Sequence, residues 1–480
     1  MNVEDLANYA VDRALRAGAS YADARVVDRR HESLNVRLGR VEALQSTADA
    51  GLGVRVIVEG AWGFAATATL NREEAARVAE LAVRIARASA RVNPQPVALA
   101  PAPPVQDSWE SQFRVNPFDV PQEDKIELLL AADRILRERP EITVSGGSIA
   151  YSQENKYFSS SEGSRISQKK LETGGQVFAT AVAGDQAQDR SYPSSLEGLH
   201  ASAGYELVDE IDLLGGAQTI AAEVVDLLHA PRCPQGELPV IIDGSHMALQ
   251  IHESCGHPIE LDRVFGTEAS YAGTSFLTPD KLGEFRYGSD LVNIYADATI
   301  PGALGSFGYD DEGVAAQRTP IVVGGTFQGY LSSREMAARL GTASSGAMRA
   351  ESWNRLPLIR MTNINLEPGD WTLEEMIKDT RRGLYLQTTR SWSIDDQRLN
   401  FQFGCQVGWM IEDGALTHMV SNPNYQGVTP RFWGSCDAIA NRDEWRVWGV
   451  VNCAKGEPVQ LMHVGHGVAP ARFSSVRVGL

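Results

Sequence analysis

The feature that most constrains the fold is a histidine pair, His252 and His257, placed where a predicted helix has to end. The run ELPVIIDG at 237–244 predicts a buried strand, and the residues that follow it predict a helix. Gly256 and Pro258 both favour a helix terminus. On a regular helix, residues five apart point about 140° away from each other. Both imidazoles can therefore face one metal ion only if the helix ends, unwinds or bulges between them.

The residue after the first histidine makes this pair similar to a zinc-protease motif. In the common zinc-protease motif, two histidines four residues apart bind the metal, and the glutamate after the first one acts as general base. Glu253 holds that place in this chain, although the histidines are five residues apart. The alternative is that two hydrogen-bonded histidines simply flank a helix end.

Two histidines do not complete a catalytic zinc site, because such a site has three protein ligands and a water. Cys453 has a modest advantage as the third ligand, since it ends an apolar strand-like run and Lys455 nearby would favour its thiolate. Cys405 and Cys436 lie in apolar, aromatic surroundings that are typical of a core. The full set of candidates is Cys255, Cys405, Cys436, Cys453 and Glu260.

Other polar residues are weaker candidates for a site. His463 and His466 could line the same site or bind the substrate, and His246 precedes the motif by six residues. The alternative for all three is a hydrogen-bonded histidine in a loop. The acidic run 310–312 could bind a cation, although such a run is more often a solvated turn.

The charge balance argues against two classes of partner. The 480 residues include 44 Lys and Arg against 61 Asp and Glu, so the formal net charge is −17. Nucleic-acid binders need a basic surface and polybasic membrane proteins need a cationic segment, so we expect neither partner. No apolar run approaches the roughly 20 residues of a membrane helix. No signal-peptide pattern is visible, and five cysteines do not resemble a secreted disulfide framework. We therefore expect a cytoplasmic protein.

The pattern along the chain predicts the α+β class. We expect an N-terminal α/β-type domain over 1–230 and a larger, strand-rich domain over 231–480 that carries the histidine motif and the cysteine ligand. The order helix, strands, helix occurs twice before residue 230, which suggests a structural duplication. The proline-rich stretch 93–106 predicts a linker or an extended edge segment. Helices are predicted at about 3–17, 72–91, 121–138, 217–229, 333–341 and 372–383, and strands at about 141–151 and 164–184.

Several ordered blocks together resemble one known family. They are HESCGHPIELD at 252–262, YDDEGVAAQRTPIV at 309–322, RAESWNRLPLIRMTN at 349–363, VNCAKGEPVQLMHVGHGVAP at 451–470 and GLGVRVIVEGAWGFAAT at 51–67. In these blocks, which span nearly the whole chain, the sequence resembles the catalytic, TldD-type subunits of the TldD/PmbA (TldE) metallopeptidases. The non-catalytic partner subunits of that family lack the histidine motif.

The resemblance implies a zinc site and a reaction. It assigns His252, His257 and Cys453 as zinc ligands and Glu253 as the catalytic glutamate. It implies a cytoplasmic, zinc-dependent peptidase that acts on unfolded or short peptides, either paired with a TldE/PmbA-type subunit or as a homodimer. In the mechanism we expect, Glu253 assists the attack of a zinc-bound water on the peptide bond.

Two functions of other classes are the alternatives. One is a peptide-binding or regulatory subunit without catalysis, for which an intact Glu253 would serve no purpose. The other is a cysteine hydrolase that uses Cys453 with His463 or His466, and a metal chelator would not inhibit it directly.

Overall fold

The computed structural model describes residues 2–93 and 95–479 and has the predicted α+β class. The predicted order of helix, strands and helix occurs twice before residue 230. The helices are α1 Val3–Arg16, α2 Arg72–Ala90, α3 Gln122–Leu136, α4 Glu206–Ile211, α5 Leu213–His229, α6 Gly244–Ile251, α7 Leu261–Val264, α8 Arg334–Leu340, α9 Leu373–Asp379 and α10 Thr429–Gly434.

The strands divide between an early and a late group. The early group is β1 Tyr21–Arg37, β2 Arg40–Val58, β3 Ala61–Thr67, β4 Gln106–Glu110, β5 Ile142–Ser160, β6 Arg165–Ala183, β7 Gln186–Tyr192 and β8 Leu199–Ala201. The late group is β9 Gly236–Ile242, β10 Ile294–Asp297, β11 Arg318–Val323, β12 Thr326–Phe327, β13 Met348–Arg349, β14 Leu358–Ile359, β15 Ile364–Leu366, β16 Arg382–Ile394, β17 Asn400–Glu412, β18 Ala415–Val420, β19 Asn424–Val428, β20 Cys436–Ile439, β21 Arg446–Lys455, β22 Gln460–Val468 and β23 Ala471–Val478.

One eight-stranded sheet holds all the early strands. Its order is β3-β2-β1-β5-β6-β4, with β7 and β8 also paired to β6. The antiparallel pair β1–β5 joins the two successive helix–strands–helix segments. Helices α1 and α2 bury an alanine- and valine-rich face against the first half, and α3 and α5 bury apolar residues against the second. The Asn71 side chain accepts a hydrogen bond from the Glu74 amide, 2.9 Å, and so caps α2.

The largest late sheet is mixed, with the order β16-β9-β23-β19-β17-β18 and β20 paired to β23. Strand β9 is parallel to β16 and antiparallel to β23. Its apolar run Val240, Ile241 and Ile242 is fully buried, as expected of a strand between two neighbours. The Asp243 side chain then accepts a hydrogen bond from the Ser245 amide, 2.9 Å, and starts α6 directly after β9.

Strands β21 and β22 form a separate two-stranded ribbon. Their register shifts between Val450 and Cys453, so the strand that carries Cys453 is irregular at that point. Such bulges re-aim side chains. The ribbon therefore brings a late segment of the chain to the end of α6.

Several local predictions differ from the structure. The predicted helix 372–383 ends at Asp379, because Thr380 is extended and β16 pairs with β17 from Arg382 onward. Strand β5 runs to Ser160, because its last residues pair with β1. Helices α4, α7 and α10 were not predicted, and α5 begins at Leu213 and not at 217. Within the proline-rich stretch 93–106, Pro94 lies outside the described residues, and the stretch leads into β4, which pairs with β6 as an edge strand.

The division into 1–230 and 231–480 stays a prediction. Among the helices of the described ranges, none is long and apolar enough to cross a membrane.

Candidate metal centre

A π-helical turn resolves the unusual spacing of the two histidines. Helix α6 ends at Ile251, and His252–Gly256 form the π-helical turn. The His257 amide donates to the His252 carbonyl oxygen, 3.1 Å away, so this bond spans five residues. The wider turn places the two imidazoles side by side, with ring centroids 4.9 Å apart. A Cβ at Gly256 would overlap Met361 Sδ, so a larger residue here would have to displace the buried Met361 side chain.

Cys453 on β21 faces this histidine pair. Its Sγ lies 3.9 Å from His257 Nε2, and potential ligand atoms of His252, His257 and Cys453 all lie within 4.8 Å of one another. All three side chains are buried. Across 2–93 and 95–479, this is the one group of at least three His, Cys, Asp or Glu residues that is so arranged.

The other candidates for a third ligand lie elsewhere. Cys255, Cys405 and Cys436 are buried in the main apolar core. Burial raises the pKa of Cys255 to about 12 and that of Cys436 to about 12, which keeps both thiols protonated. Glu260 lies beside the site, but its carboxylate contacts His257 Nδ1 and not the ring nitrogen that is nearest Cys453.

The second nitrogen of each histidine has a partner. His257 Nδ1 lies 3.1 Å from Glu260 Oε2, and His252 Nδ1 lies 2.8 Å from His466 Nε2. Such outer contacts fix the tautomer and orientation of a metal-binding imidazole. They leave His257 Nε2, on the Cys453 side, and His252 Nε2 for a metal.

The protonation of the three groups suits a metal. Burial lowers the pKa of His252 and lowers that of His257 further, so both imidazoles are neutral near pH 7. Burial alone would raise the pKa of Cys453, but Arg360 and His257 outweigh it, and the pKa is lowered. Two neutral imidazoles and one thiol that ionises readily are the donor set that zinc prefers. The residues present therefore fit a zinc ion.

Lys455 does not act as the sequence predicts. Its Nζ donates to Asp262 Oδ1 and to the Ile359 carbonyl oxygen, both at 2.7 Å, and lies 3.3 Å from Glu260 Oε2. It thus neutralises the carboxylate behind His257, and Arg360 is the cation that acts on Cys453.

The three residues lie in the wall of a cleft of about 440 Å³. Glu253 lines the same cleft, and its Oε2 accepts a hydrogen bond from Arg398 Nη1. Sequence reasoning missed Arg398, because it lies in the turn between β16 and β17 and no local motif marks it. The lining residues are Leu196, Leu249, His252, Glu253, His257, Tyr271, Ala272, Trp392, Arg398, Val450, Asn452, Cys453 and Ala454.

The remaining histidine candidates separate. His466 contacts the motif through His252. His463 lines a different cavity of about 630 Å³, where its Nδ1 lies 2.6 Å from Glu172 Oε2. His246 belongs to the core: its ring nitrogens lie 2.9 Å from Thr389 Oγ1 and from Tyr425 OH, and burial lowers its pKa to about 3.

The acidic run 310–312 is buried and not a solvated turn. Lys156 Nζ lies 2.8 Å from Asp311 Oδ1 and Arg25 Nη1 lies 3.2 Å from Asp311 Oδ2. Arg55 Nη1 lies 3.3 Å from Glu312 Oε1. These cations come from β1, β2 and β5, so the run ties a late loop to the eight-stranded sheet.

Three family models match consecutive parts of the chain. They are described as PmbA/TldA metallopeptidase domain 1, matched by residues 22–86, the central domain, by 115–230, and the C-terminal domain, by 235–479.

Relatives match this chain over most of their length. A metalloprotease of Methanocaldococcus jannaschii is 31% identical over 439 residues, which is 91% of this chain and 93% of the relative. A zinc metalloprotease TldD homolog of Saccharolobus solfataricus is 26% identical over 87% of this chain and 88% of its own. TldE from Thermococcus kodakarensis shares the fold, with a TM-score of 0.78 over 99% of this chain and 100% of that one at 17% identity. The chain belongs to the PmbA/TldD metallopeptidase family.

Proposed function

We propose that this chain is a zinc-dependent peptidase that hydrolyses unfolded or short peptides. In this proposal His252, His257 and Cys453 bind the metal, and Glu253 is the catalytic residue. The observation that carries it is the close grouping of the three potential ligands in the cleft that also presents Glu253. The relatives named metalloproteases, one of them a zinc metalloprotease, support the same conclusion.

Glu253 is suited to move a proton. A bound zinc would supply Lewis-acid chemistry, polarising the scissile carbonyl and lowering the pKa of water. Arg398 holds Glu253 Oε2, which leaves Oε1 to take the proton of the attacking water. Glu253 then returns that proton to the amine that leaves when the C–N bond breaks.

The ribbon supports an extended substrate. Strand β21 pairs with β22 and with no other strand among the described residues. Its segment 450–454 lines the cleft, with the exception of Val451. An extended peptide can add to such an edge through main-chain hydrogen bonds, which recognise no particular sequence. Folded proteins have no free extended segment to offer, so we expect cleavage of an unfolded substrate and not of its folded form.

We also propose a family subunit as partner and the cytoplasm as location. The shared fold with TldE supports pairing with a TldE/PmbA-type subunit, and a homodimer is the alternative. All five cysteines are free, which suits a reducing compartment. Light scattering of the pure chain, alone and mixed with a TldE-type subunit from the same organism, separates the two assemblies.

The geometry disfavours a cysteine hydrolase in which Cys453 acts with His463 or His466. His463 lies in the other cavity and His466 contacts His252, so neither is placed against Cys453. A chelator distinguishes the two enzymes, because it removes zinc and leaves a thiol nucleophile in place.

The direct test is peptide cleavage by Glu253→Gln protein. The amide cannot accept the proton, so we expect cleavage to fall to the background while the zinc content stays at the wild-type value. Glu268→Gln is the matched control, because Glu268 is a buried carboxylate that accepts from the Gly456 amide and lies outside the cleft wall. Cleavage by Glu253→Gln at the wild-type rate would refute the catalytic role, and a wild type that binds peptide without cleaving it would support the binding subunit.

A further inference from the structure

Two exposed aromatic side chains line the cleft that contains the candidate metal ligands, called the metal cleft below. The chain has 9 Trp, 13 Tyr and 14 Phe. All of these aromatic residues lie in the described ranges. Only three of them have exposed side chains: Phe265, Tyr271 and Trp392. Tyr271 is 47% exposed and Trp392 is 48% exposed, and both line the cleft that holds His252 and Glu253. Exposed aromatic surface concentrated at one concave site is typical of ligand recognition.

The two aromatic residues belong to one built wall. Tyr271 follows α7, and Trp392 lies near the end of β16. The Thr274 amide donates to the Asp396 carbonyl oxygen, 2.9 Å, and the Phe276 amide donates to the Gln397 carbonyl oxygen, 3.0 Å. Backbone hydrogen bonds thus join the segment after Tyr271 to the segment after Trp392.

Gly273 lets these segments meet. It has a φ of 83°, and a Cβ at this position would overlap the Asp396 carbonyl oxygen. Only glycine accepts both the left-handed conformation and the close backbone approach. The segments that follow Tyr271 and Trp392 are therefore held together by backbone hydrogen bonds and close packing.

The chemistry of the wall favours an apolar ligand group. Leu196, Leu249 and Val450 add apolar surface to the same cleft. The formally charged side chains among the lining residues are Glu253 and Arg398, and they pair with each other. A charged substrate side chain would lose its hydration there without gaining a counter-ion, whereas an aromatic or branched aliphatic side chain would bury apolar area.

We propose that Tyr271 and Trp392 form a subsite for an apolar side chain, aromatic or branched aliphatic, beside the bond that is cleaved. This inference rests on the proposed peptidase function and adds a selectivity that main-chain recognition alone does not give. Because the aromatic pair is continuous with the metal cleft, its occupant is a substrate side chain and not a partner subunit.

The test compares matched quenched-fluorescence peptides with the zinc-loaded enzyme. The peptides are identical except for Phe, Leu, Gly or Asp at one of the two positions that flank the cleaved bond. We expect the wild type to prefer Phe over Asp by at least about tenfold in kcat/KM at one position, the range that a single side-chain pocket supplies. Trp392→Ala and Tyr271→Ala should each lower that ratio severalfold without changing the zinc content. Phe265→Ala, an exposed aromatic outside the cleft wall, should leave the ratio unchanged.

A binding measurement keeps the inference separate from the catalytic proposal. Calorimetric titration of Glu253→Gln protein with the uncleaved Phe and Asp peptides should show tighter binding of the Phe peptide, and the added Trp392→Ala should remove the difference. If no peptide is cleaved by wild type but this difference is found, the peptidase proposal fails and the subsite stands. Equal binding and equal cleavage of all four peptides would overturn the subsite. It would also be overturned if Trp392→Ala changed the subunit assembly and left peptide selectivity as it was.

Discussion

Arg398 Nη1 donates a hydrogen bond to Glu253 Oε2, although the two residues are 145 positions apart in the chain. The backbone of Arg398 has a φ of 65°, which is uncommon for a residue other than glycine. The Arg398 amide donates to the Asp395 carbonyl oxygen, and Thr429 Oγ1 donates to the Arg398 carbonyl oxygen, both at 2.9 Å. A strained turn is thus held so that one side chain reaches the cleft, and we predict from this that Arg398 positions Glu253.

Replacing Arg398 by Ala should lower kcat with little effect on KM. Without its partner, the Glu253 carboxylate can adopt other rotamers, and misplacement of a catalytic group by about 1 Å costs about 100-fold in rate. The measurement is steady-state cleavage of one peptide together with the zinc content. Guanidinium ion added to Arg398→Ala should restore part of kcat, which a merely structural defect would not allow. Arg390→Ala is the control, because Arg390 is exposed on the same hairpin and binds Asn422; an Arg398→Ala enzyme with wild-type kcat would contradict the positioning role.

Glu260→Gln should weaken metal binding without removing a ligand. Glu260 Oε2 lies 3.1 Å from His257 Nδ1, and loss of such an outer contact lowers metal affinity by about 10–100-fold. Competition with a chromogenic zinc chelator measures the affinity. Glu268→Gln provides the comparison with another buried carboxylate of the same region. If Glu260→Gln holds zinc as tightly as wild type, Glu260 does not orient His257.

Asp311→Asn should destabilise the fold more at pH 7 than at pH 3. Burial raises the pKa of Asp311, but Lys156 and Arg25 more than offset it and hold that pKa at about 2. The folded pKa is thus below the ordinary value of about 3.9, so the charged form stabilises the fold above that pH. This stabilisation is lost as the pH falls from about 4 toward 2. Breaking a buried pair costs about 3–5 kcal/mol where the carboxylate is charged.

Urea unfolding at both pH values measures this difference in the free energy of unfolding. The exposed Asp226→Asn in α5 is the control and should change the free energy little at either pH. If Asp311→Asn lowers the free energy of unfolding equally at pH 7 and pH 3, the charge of Asp311 contributes nothing to stability.

Local sequence patterns predicted the elements that depend on local physics. The predicted helices at 3–17 and 72–91 correspond to Val3–Arg16 and Arg72–Ala90, because an apolar stripe and terminal signals lie within each segment. The end of β5 could not be predicted in this way. Its residues become a strand because they pair with β1, more than a hundred residues earlier.

The candidate site was predictable only in part for the same reason. The motif required the helix to end or bulge between His252 and His257, but it did not distinguish a π-helical turn from a simple helix end. Residue chemistry left five candidates for the third ligand, and the family resemblance selected Cys453. The sequence named His466 as a candidate but not its contact with His252, and no local pattern marks Arg398, whose contact with Glu253 comes from folding alone.

The most direct test of the proposed zinc site is the zinc content of the purified, untagged chain, measured beside that of Cys453→Ser and Cys255→Ala. Cys453→Ser removes the thiolate that faces His257, whereas Cys255→Ala removes a buried thiol of the core. After zinc is supplied and excess is removed, we expect about one zinc per chain in wild type and in Cys255→Ala, the number that one three-ligand site holds. Cys453→Ser should hold far less. A wild type that holds no metal, or a Cys453→Ser protein that retains the full amount of zinc, would contradict the zinc site formed by His252, His257 and Cys453.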